Sequence, residues 1–177
     1  MSESENLLER LRRVRVLVLD VDGVMTDGKL YFDADGRELK AFHSRDGHGI
    51  KLAQSAGIEV AIISGRESGA VMARAANLGI EHCILGSLTK GEAIESLSKR
   101  LGEPLERFAA MGDDIIDLPM LTRAGVAATV QDAPECVKAH ADWISDRRGG
   151  DGAVRTFIEA LLQAQGSWDA VIARYLR

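Results

Sequence analysis

The chain has 177 residues, of which 46% are hydrophobic and 28% charged, and this composition is typical of a globular protein. Its 22 basic and 27 acidic residues leave a net charge of -5, which argues against a nucleic-acid or anionic-membrane partner, because both select for basic surfaces. No apolar run approaches the roughly 20 residues that cross a bilayer, and the charged N-terminal segment lacks a signal-peptide core. We therefore expect one cytoplasmic domain over residues 1–177, with Cys83 and Cys136 as reduced thiols.

Short apolar runs of strand length alternate with amphipathic segments along most of the chain. The predicted strands are residues 14–19, 58–63, 81–85, 108–111 and 125–128. The predicted helices are residues 47–55, 67–78, 90–101 and 153–165. Because strands and helices alternate, we expect an α/β fold with a doubly wound parallel sheet that helices cover on both faces.

Residues 28–42 interrupt this alternation. They have strand-like flanks around Asp35-Gly36, and an Asp-Gly pair in this setting predicts a β-hairpin with a type I′ turn, in which both central residues have positive φ. The flanks carry four large apolar side chains, Leu30, Phe32, Leu39 and Phe42. The segment is therefore predicted to be a hairpin inserted after the first strand.

Polar side chains follow the predicted strands at the points where the strands end. Asp20 and Asp22 come directly after the first strand, and Ser64 follows the second. Lys90 opens the helix after the third strand, and the fourth strand leads into Asp113. Because ligands bind beyond the carboxyl ends of parallel strands, we expect all of these side chains at one edge of the sheet.

These residue types favour a metal-assisted reaction of a phosphate. Neighbouring carboxylates repel each other unless a cation lies between them, so the acidic pair after the first strand and Asp113 predict a divalent cation, most simply Mg²⁺. The Ser64 hydroxyl and the N–H groups after it suit a phosphoryl oxygen. Singly, each residue has a plainer interpretation: the acids can be solvated loop residues, and Asp114 or Asp117 can stabilise a helix N-terminus.

In this order the motifs resemble those of the haloacid dehalogenase-like phosphohydrolases. The four motifs are Asp20-Val21-Asp22-Gly23-Val24, Ser64, Lys90, and Gly112-Asp113-Asp114 with Asp117. The resemblance implies a Rossmann-like core in which Asp20 attacks phosphorus and forms an aspartyl-phosphate, while Asp22 transfers protons. It also implies that Ser64 and Lys90 hold the phosphoryl oxygens. A phospho-acceptor receiver domain is the non-enzymatic alternative, but its acceptor Asp would follow the strand that ends in Ser64 here.

Further segments resemble the 3-deoxy-D-manno-octulosonate 8-phosphate (KDO 8-phosphate) phosphatase family. They are residues 20–28, the hairpin, residues 45–49, Gly65-Arg66 and residues 149–155. By this resemblance, Mg²⁺ would lie on Asp20, Asp113 and the backbone carbonyl of Asp22. The positions facing the sugar phosphate would be Asp22, His43, Ser44, Arg45, Asp46, Gly47, Lys51, Arg66, Arg74 and Lys90. Relatives often carry Thr at the position of Ser64, and Ser keeps the hydroxyl. They often carry Arg at the position of Lys51, and Lys keeps the charge there but loses the bidentate contact.

The insertions between the motifs are too short for the cap domain that closes many related active sites. Residues 27–43 hold only the hairpin, and residues 64–90 hold only one helix and one strand. The resemblance implies a homotetramer whose neighbouring subunits supply walls to the site. We expect the hairpin to be the assembly surface, because an isolated two-stranded hairpin is marginal in water. A local flap on a monomer is the alternative.

The C-terminal tail and the substrate leave alternatives open. Residues 167–177 have apolar side chains at helical spacing, which favours a docked helix capped by Ser167, whereas the resemblance implies a mobile tail that reaches a neighbouring site. Arg155 either serves the site or begins a helix. A nine-carbon, sialic-acid-type ulosonate 9-phosphate is the alternative substrate, and by resemblance Arg66 favours the eight-carbon sugar. Its product, KDO, would feed lipopolysaccharide assembly.

Overall fold

The computed structural model describes residues 3–176. Its strands are β1 (Val16–Leu19), β2 (Tyr31–Phe32), β3 (Glu38–Leu39), β4 (Glu59–Ile63), β5 (His82–Ile84), β6 (Phe108–Met111), β7 (Val126–Thr129) and β8 (Trp143–Ile144). Six of them form one parallel sheet in the order β5-β4-β1-β6-β7-β8, and β2 and β3 form a separate antiparallel hairpin. The predicted doubly wound parallel sheet with a hairpin insertion is confirmed.

Helices cover the sheet on both faces. They are α1 (Glu3–Arg13), α2 (Ser44–Ser55), α3 (Gly69–Leu78), α4 (Lys90–Leu101), α5 (Leu118–Leu121), α6 (Glu135–Lys138), α7 (Ala153–Ala164) and α8 (Trp168–Ala173). One group packs α2 against α3 and α7, with α1 on α7, and another packs α4 against α5. Every residue of β1, β6 and β7 is buried, because strands covered on both faces do not alternate between core and solvent. No helix in residues 3–176 has the length and hydropathy needed to cross a membrane.

The predicted elements are present, with ends shifted by a few residues, but four observed elements, α1, α5, α6 and β8, have no predicted counterpart. Of these, α1 and β8 show why. Helix α1 lies in a segment whose charge obscures its apolar stripe, although Leu11 is buried and Arg10 pairs with Asp142 at 2.7 Å. Strand β8 has only two residues, which is too short to show a periodicity. Both elements are stabilised by contacts distant in sequence, and a local pattern does not carry that information.

The hairpin forms, but the predicted type I′ turn is wrong. In the part of the chain that the structure describes, only glycines have positive φ, so Asp35 does not adopt the conformation that this turn requires, whereas Gly36 does, at 78°. The loop instead runs from Asp33 to Arg37. The Asp33 carboxylate accepts the N–H groups of Asp35 at 3.0 Å and Arg37 at 2.8 Å. A side chain that closes the turn on its own backbone therefore replaces the tighter turn.

The insertions and the tail are short, as expected. Between β1 and β4 lie only the hairpin and α2, and between β4 and α4 only α3 and β5, so the described chain has no cap domain. Helix α8 follows α7 and packs on it through the buried Val171. The predicted Ser167 cap is wrong, because the Ser167 hydroxyl donates to the Leu162 carbonyl and makes no cap hydrogen bond.

Candidate active site

The site lies where β1, β4 and β6 end side by side. Asp20 follows β1, and its N–H donates to the Met111 carbonyl at 3.0 Å, which ties the ends of β1 and β6 together. Ser64 follows β4, and its N–H donates to the Ile84 carbonyl at 2.9 Å. Both side chains are buried, unlike ordinary loop residues. The sheet order thus brings together residues that are more than 40 positions apart in the chain.

Lys90 is the central cation of the site. Its side chain is 1% exposed, and its Nζ donates to Asp20 Oδ1 at 2.6 Å and to Asp117 Oδ1 at 2.5 Å. Burial alone would lower the pKa of Lys90, but the two carboxylates outweigh burial and raise it. The ammonium therefore stays charged and neutralises the predicted nucleophile.

Asp117 holds the loop that carries the predicted metal ligand. It is fully buried, and its Oδ2 accepts the N–H groups of Asp113 at 2.9 Å and Asp114 at 3.1 Å. Gly112 is required beside it, because a Cβ at that position would lie 2.4 Å from the Asp117 Cβ. Asp117 does stabilise a helix start, as one sequence interpretation had it, but it also anchors Lys90.

The carboxylates fit a divalent cation. Carboxylate oxygens of Asp20, Asp113 and Asp117 lie within 4.8 Å of one another. Burial and the neighbouring carboxylates raise the pKa of Asp113 to about 8 and that of Asp20 to about 6. Because Asp117 is already bound to Lys90 and to two N–H groups, Asp20 and Asp113 are the side chains suited to hold the ion. A Cβ on Gly23 would lie 2.0 Å from Asp113 Oδ2, so the backbone after Asp22 runs beside Asp113.

Asp22 faces a cavity of about 290 Å³ above the buried centre. Its carboxylate pairs with Lys40 from the hairpin through a short hydrogen bond, and Arg66 Nε lies 3.9 Å from its other oxygen. The cavity walls include Asp20, Asp22, Ser64, Arg66, Lys90 and Asp113. All four predicted catalytic residues therefore line one cavity. Arg66, a predicted substrate residue, lines it as well.

The other predicted substrate residues lie elsewhere in the single chain. His43 and Arg45 line a second cavity of about 350 Å³, which shares no lining residue with the first. Asp46 is buried, and its carboxylate accepts the N–H groups of Gly152 at 3.3 Å and Arg155 at 2.8 Å, so it caps the start of α7.

A third group of these residues packs around α2 and α3. The guanidinium of Arg74 lies over the Phe42 ring at 5.6 Å, and a Cβ on Gly47 would meet Arg74 Nη2 at 2.1 Å. Lys51 Nζ lies near Gly79. Ser44 is exposed at the start of α2. Within one chain, none of His43 to Gly47, Lys51 or Arg74 lines the catalytic cavity.

Comparison with known proteins identifies the family. A haloacid dehalogenase-like hydrolase model matches residues 84–158. A KDO 8-phosphate phosphatase of Haemophilus influenzae is 44% identical over 89% of this chain and 88% of its own, and one of Escherichia coli K12 is 42% identical over 94% and 88%. The chain belongs to the KDO 8-phosphate phosphatase family. The predicted membership is confirmed, and the receiver-domain alternative loses its support.

Solved structures of the family agree with the fold described above. The Moraxella catarrhalis KDO 8-phosphate phosphatase, in complex with magnesium, phosphate and KDO, has a TM-score of 0.95 and 38% identity, covering 97% of this chain and 98% of its own. A cobalt-bound enzyme from Haemophilus influenzae has a TM-score of 0.88 and 43% identity, covering 91% and 94%. This chain is thus a phosphatase of the haloacid dehalogenase-like type without a cap.

Sequence reasoning missed two residues at the site of this family member, Glu38 and Lys40, and it left the role of a third, Asp117, open. Asp117 anchors Lys90, and Glu38 and Lys40 of the hairpin contact Arg66 and Asp22. For Asp117 a signal existed, since a buried lysine beside one catalytic aspartate needs a second acceptor. For the hairpin pair, the alternation of Glu38 and Lys40 around Leu39 shows that the two share a face, but not that this face lies on the site.

Proposed function

We propose that this protein is a magnesium-dependent phosphatase that hydrolyses KDO 8-phosphate to KDO and phosphate. The observation that carries the proposal is the buried pairing of Asp20 with Lys90 beside Asp113, in a cavity that also holds Asp22, Ser64 and Arg66, within a chain of this family. We place the reaction in the cytoplasm, and its product in lipopolysaccharide assembly.

In the first step, Asp20 attacks phosphorus and the bond between phosphorus and the sugar oxygen breaks. Lys90 neutralises Asp20 Oδ1 and keeps the buried carboxylate ionised for the attack. Ser64 donates its hydroxyl to a phosphoryl oxygen, because its Oγ already accepts the Arg66 N–H at 3.3 Å and its own proton is left free to donate. Asp20, Asp113 and the Asp22 carbonyl would hold magnesium, which would neutralise the phosphoryl charge when bound.

Asp22 carries the proton through both steps. It protonates the departing sugar oxygen in the first step, which leaves the phosphate on Asp20. In the second step it takes a proton from the water that attacks phosphorus, and Asp20 is released with inorganic phosphate. Its place at the cavity wall, and not in the buried centre, lets the carboxylate reach the leaving group and the water.

The two separate cavities support the proposal that the enzyme works as a homotetramer. His43 to Gly47, Lys51 and Arg74 lie outside the catalytic cavity of their own chain, so they would bind the sugar acid only in a neighbour's site. The hairpin exposes apolar side chains suited to such an assembly, with Phe32 and Leu39 each 57% exposed. Tail residues of α8 lie near the second cavity, where Arg155 contacts Trp168 at 5.7 Å.

The test is phosphate release from KDO 8-phosphate, a nine-carbon ulosonate 9-phosphate and 4-nitrophenyl phosphate, each with magnesium and with chelator. We expect a magnesium-dependent preference for the eight-carbon substrate and its loss in Asp20→Asn, with the exposed Asp146→Asn as the matched control. Preference for the nine-carbon acid would keep the mechanism and change the substrate. Activity that survives in Asp20→Asn would exclude the aspartyl-phosphate.

A further inference from the structure

Each aspartate of the first motif has its own lysine. Lys90, from α4, pairs with Asp20, whereas Lys40, at the end of the hairpin, pairs with Asp22 over a separation of 18 residues. The Lys40 side chain is 2% exposed, close to the 1% of the Lys90 side chain, although Lys40 as a whole residue is only half-buried. A lysine on a two-stranded hairpin ordinarily extends into water, so its burial on Asp22 needs an explanation.

The neighbours of Lys40 account for its burial. Its Nζ also lies 2.9 Å from Glu38 Oε1, and the other Glu38 oxygen accepts Arg66 Nη2 at 2.5 Å. Asp22, Lys40, Glu38 and Arg66 therefore form a row of alternating charges with no net charge. Burial opposes the charged form of Lys40, but the two carboxylates outweigh it and raise the pKa of the ammonium. Glu38 in β3 and Lys40 directly after it both reach this row, whereas the side chain of Leu39 between them is exposed.

We propose that Lys40 is a positioning residue for proton transfer, which holds Asp22 so that its second oxygen faces the leaving group. The proposal rests on the proposed function, in which Asp22 protonates the sugar oxygen. Lys40 binds Asp22 Oδ1, and Oδ2 is the oxygen on the side of Arg66 in the catalytic cavity. Without Lys40, the carboxylate would be free to rotate, since within residues 3–176 its other side-chain partner is Arg66, whose Nε lies 3.9 Å from Oδ2, beyond hydrogen-bond distance.

The leaving group distinguishes this role from a structural one. A sugar alkoxide is a strong base and needs a proton as it departs, whereas 4-nitrophenolate leaves without one. Loss of the Asp22 orientation therefore slows the first step for a sugar phosphate more than for an aryl phosphate. Damage to the fold or to the metal site would slow both substrates alike.

The experiment measures the first turnover of KDO 8-phosphate and of 4-nitrophenyl phosphate in rapid-quench mode, for the unmodified protein, Lys40→Met and Lys29→Met. Lys29 is the matched control, because it lies on the same hairpin but is exposed, and its ammonium pairs with Asp27 at 3.4 Å. In Lys40→Met we expect a loss of about a hundredfold on the sugar phosphate and a fall of about tenfold or more in the ratio of the two rates. Lys29→Met leaves both rates unchanged.

A second pair of variants tests whether Lys40 acts through Asp22. In an Asp22→Asn background, adding Lys40→Met has no further effect on the ratio, because the interaction is already lost. If Lys40→Met fails to fold, Lys40→Arg keeps the charge and is expected to retain most of the ratio. An unchanged ratio in Lys40→Met, or an equal further fall in the Asp22→Asn background, overturns the proposal. Failure of the unmodified protein to hydrolyse KDO 8-phosphate overturns the proposed function instead, and the ratio is then measured with whichever alkyl phosphate it hydrolyses.

Discussion

The buried catalytic centre and the proposed substrate wall are built in opposite ways. The wall comprises the hairpin and the predicted substrate residues His43 to Gly47, Lys51 and Arg74. Asp20, Lys90 and Asp117 form a closed set of contacts at 2.5 and 2.6 Å within one chain, and each follows directly from the sheet and its loops. The wall, in contrast, is spread over the hairpin, α2 and α3, and it leaves His43 and Arg74 away from the catalytic cavity. In the proposed homotetramer, the chemistry would thus be complete in one chain, whereas recognition of the sugar acid would depend on parts that meet only in the assembly.

Removal of Lys90 has the largest expected effect. In Lys90→Met, the carboxylates of Asp20 and Asp117 lose their only shared cation in the described structure, and an uncompensated buried charge costs about 3–5 kcal/mol. We expect a free energy of unfolding that is lower by that order and phosphatase activity that falls by roughly a thousandfold or more. Urea denaturation and phosphate release measure the two quantities.

The double variant Lys90→Met/Asp117→Asn separates stability from activity. Because it removes one of the two unpaired carboxylates, it restores part of the lost stability and none of the activity. Stability that recovers together with activity would contradict the role of Lys90 as a phosphoryl ligand.

The substrate wall is tested on the hairpin. Leu39→Glu places a charge on the exposed face of β3, opposite Lys40, where a neighbour would bury it. We expect smaller oligomers in sedimentation velocity and a KM for KDO 8-phosphate that rises about tenfold, with the first turnover of 4-nitrophenyl phosphate nearly unchanged.

Leu8→Glu is the matched control, because Leu8 is an exposed leucine on α1, away from both cavities. An unchanged oligomeric state in Leu39→Glu would favour the alternative of a hairpin that serves as a local flap.

The catalytic centre was more predictable from sequence than the wall for a physical reason. Asp20, Ser64 and Lys90 lie next to buried strands or open a helix, and the edge of a parallel sheet brings such positions together whatever the surrounding detail. The proposed role of Lys40 depends on contacts between a short hairpin and the loops after β1 and β4, and the turn of that hairpin, closed by Asp33, was itself mispredicted. Contacts made by exposed insertions leave no periodic signal.

The metal-free centre makes stability depend on pH. The pKa of Asp113 is about 8 and that of Asp20 about 6 in the folded protein, both above their ordinary value of 3.8. Between about pH 4 and pH 8 the folded state therefore binds more protons than the unfolded state, so its free energy of unfolding falls as pH rises. In chelator we expect lower stability at about pH 8 than at about pH 5, and the largest rescue by magnesium at the higher pH.

Thermal unfolding across this range, with and without magnesium, measures the effect. In Asp113→Asn we expect stability to fall less steeply as pH rises, whereas the exposed Asp146→Asn leaves the pH dependence of stability unchanged. A decline of equal slope in Asp113→Asn would assign the titration to other groups.

The smallest expected effect belongs to Ser64→Thr, which keeps the hydroxyl at this position. The side chain is 2% exposed at the end of β4, and what the mechanism requires of it is one hydroxyl. Ser64→Ala removes the donor and is expected to lower kcat by about tenfold to a hundredfold, whereas Ser64→Thr keeps it, on a backbone that β-branched residues favour, and stays within about twofold. If Ser64→Thr is as slow as Ser64→Ala, the buried centre is packed too closely to accept the added methyl group. Equal activity of all three proteins would show that Lys90 and the metal alone hold the phosphoryl group.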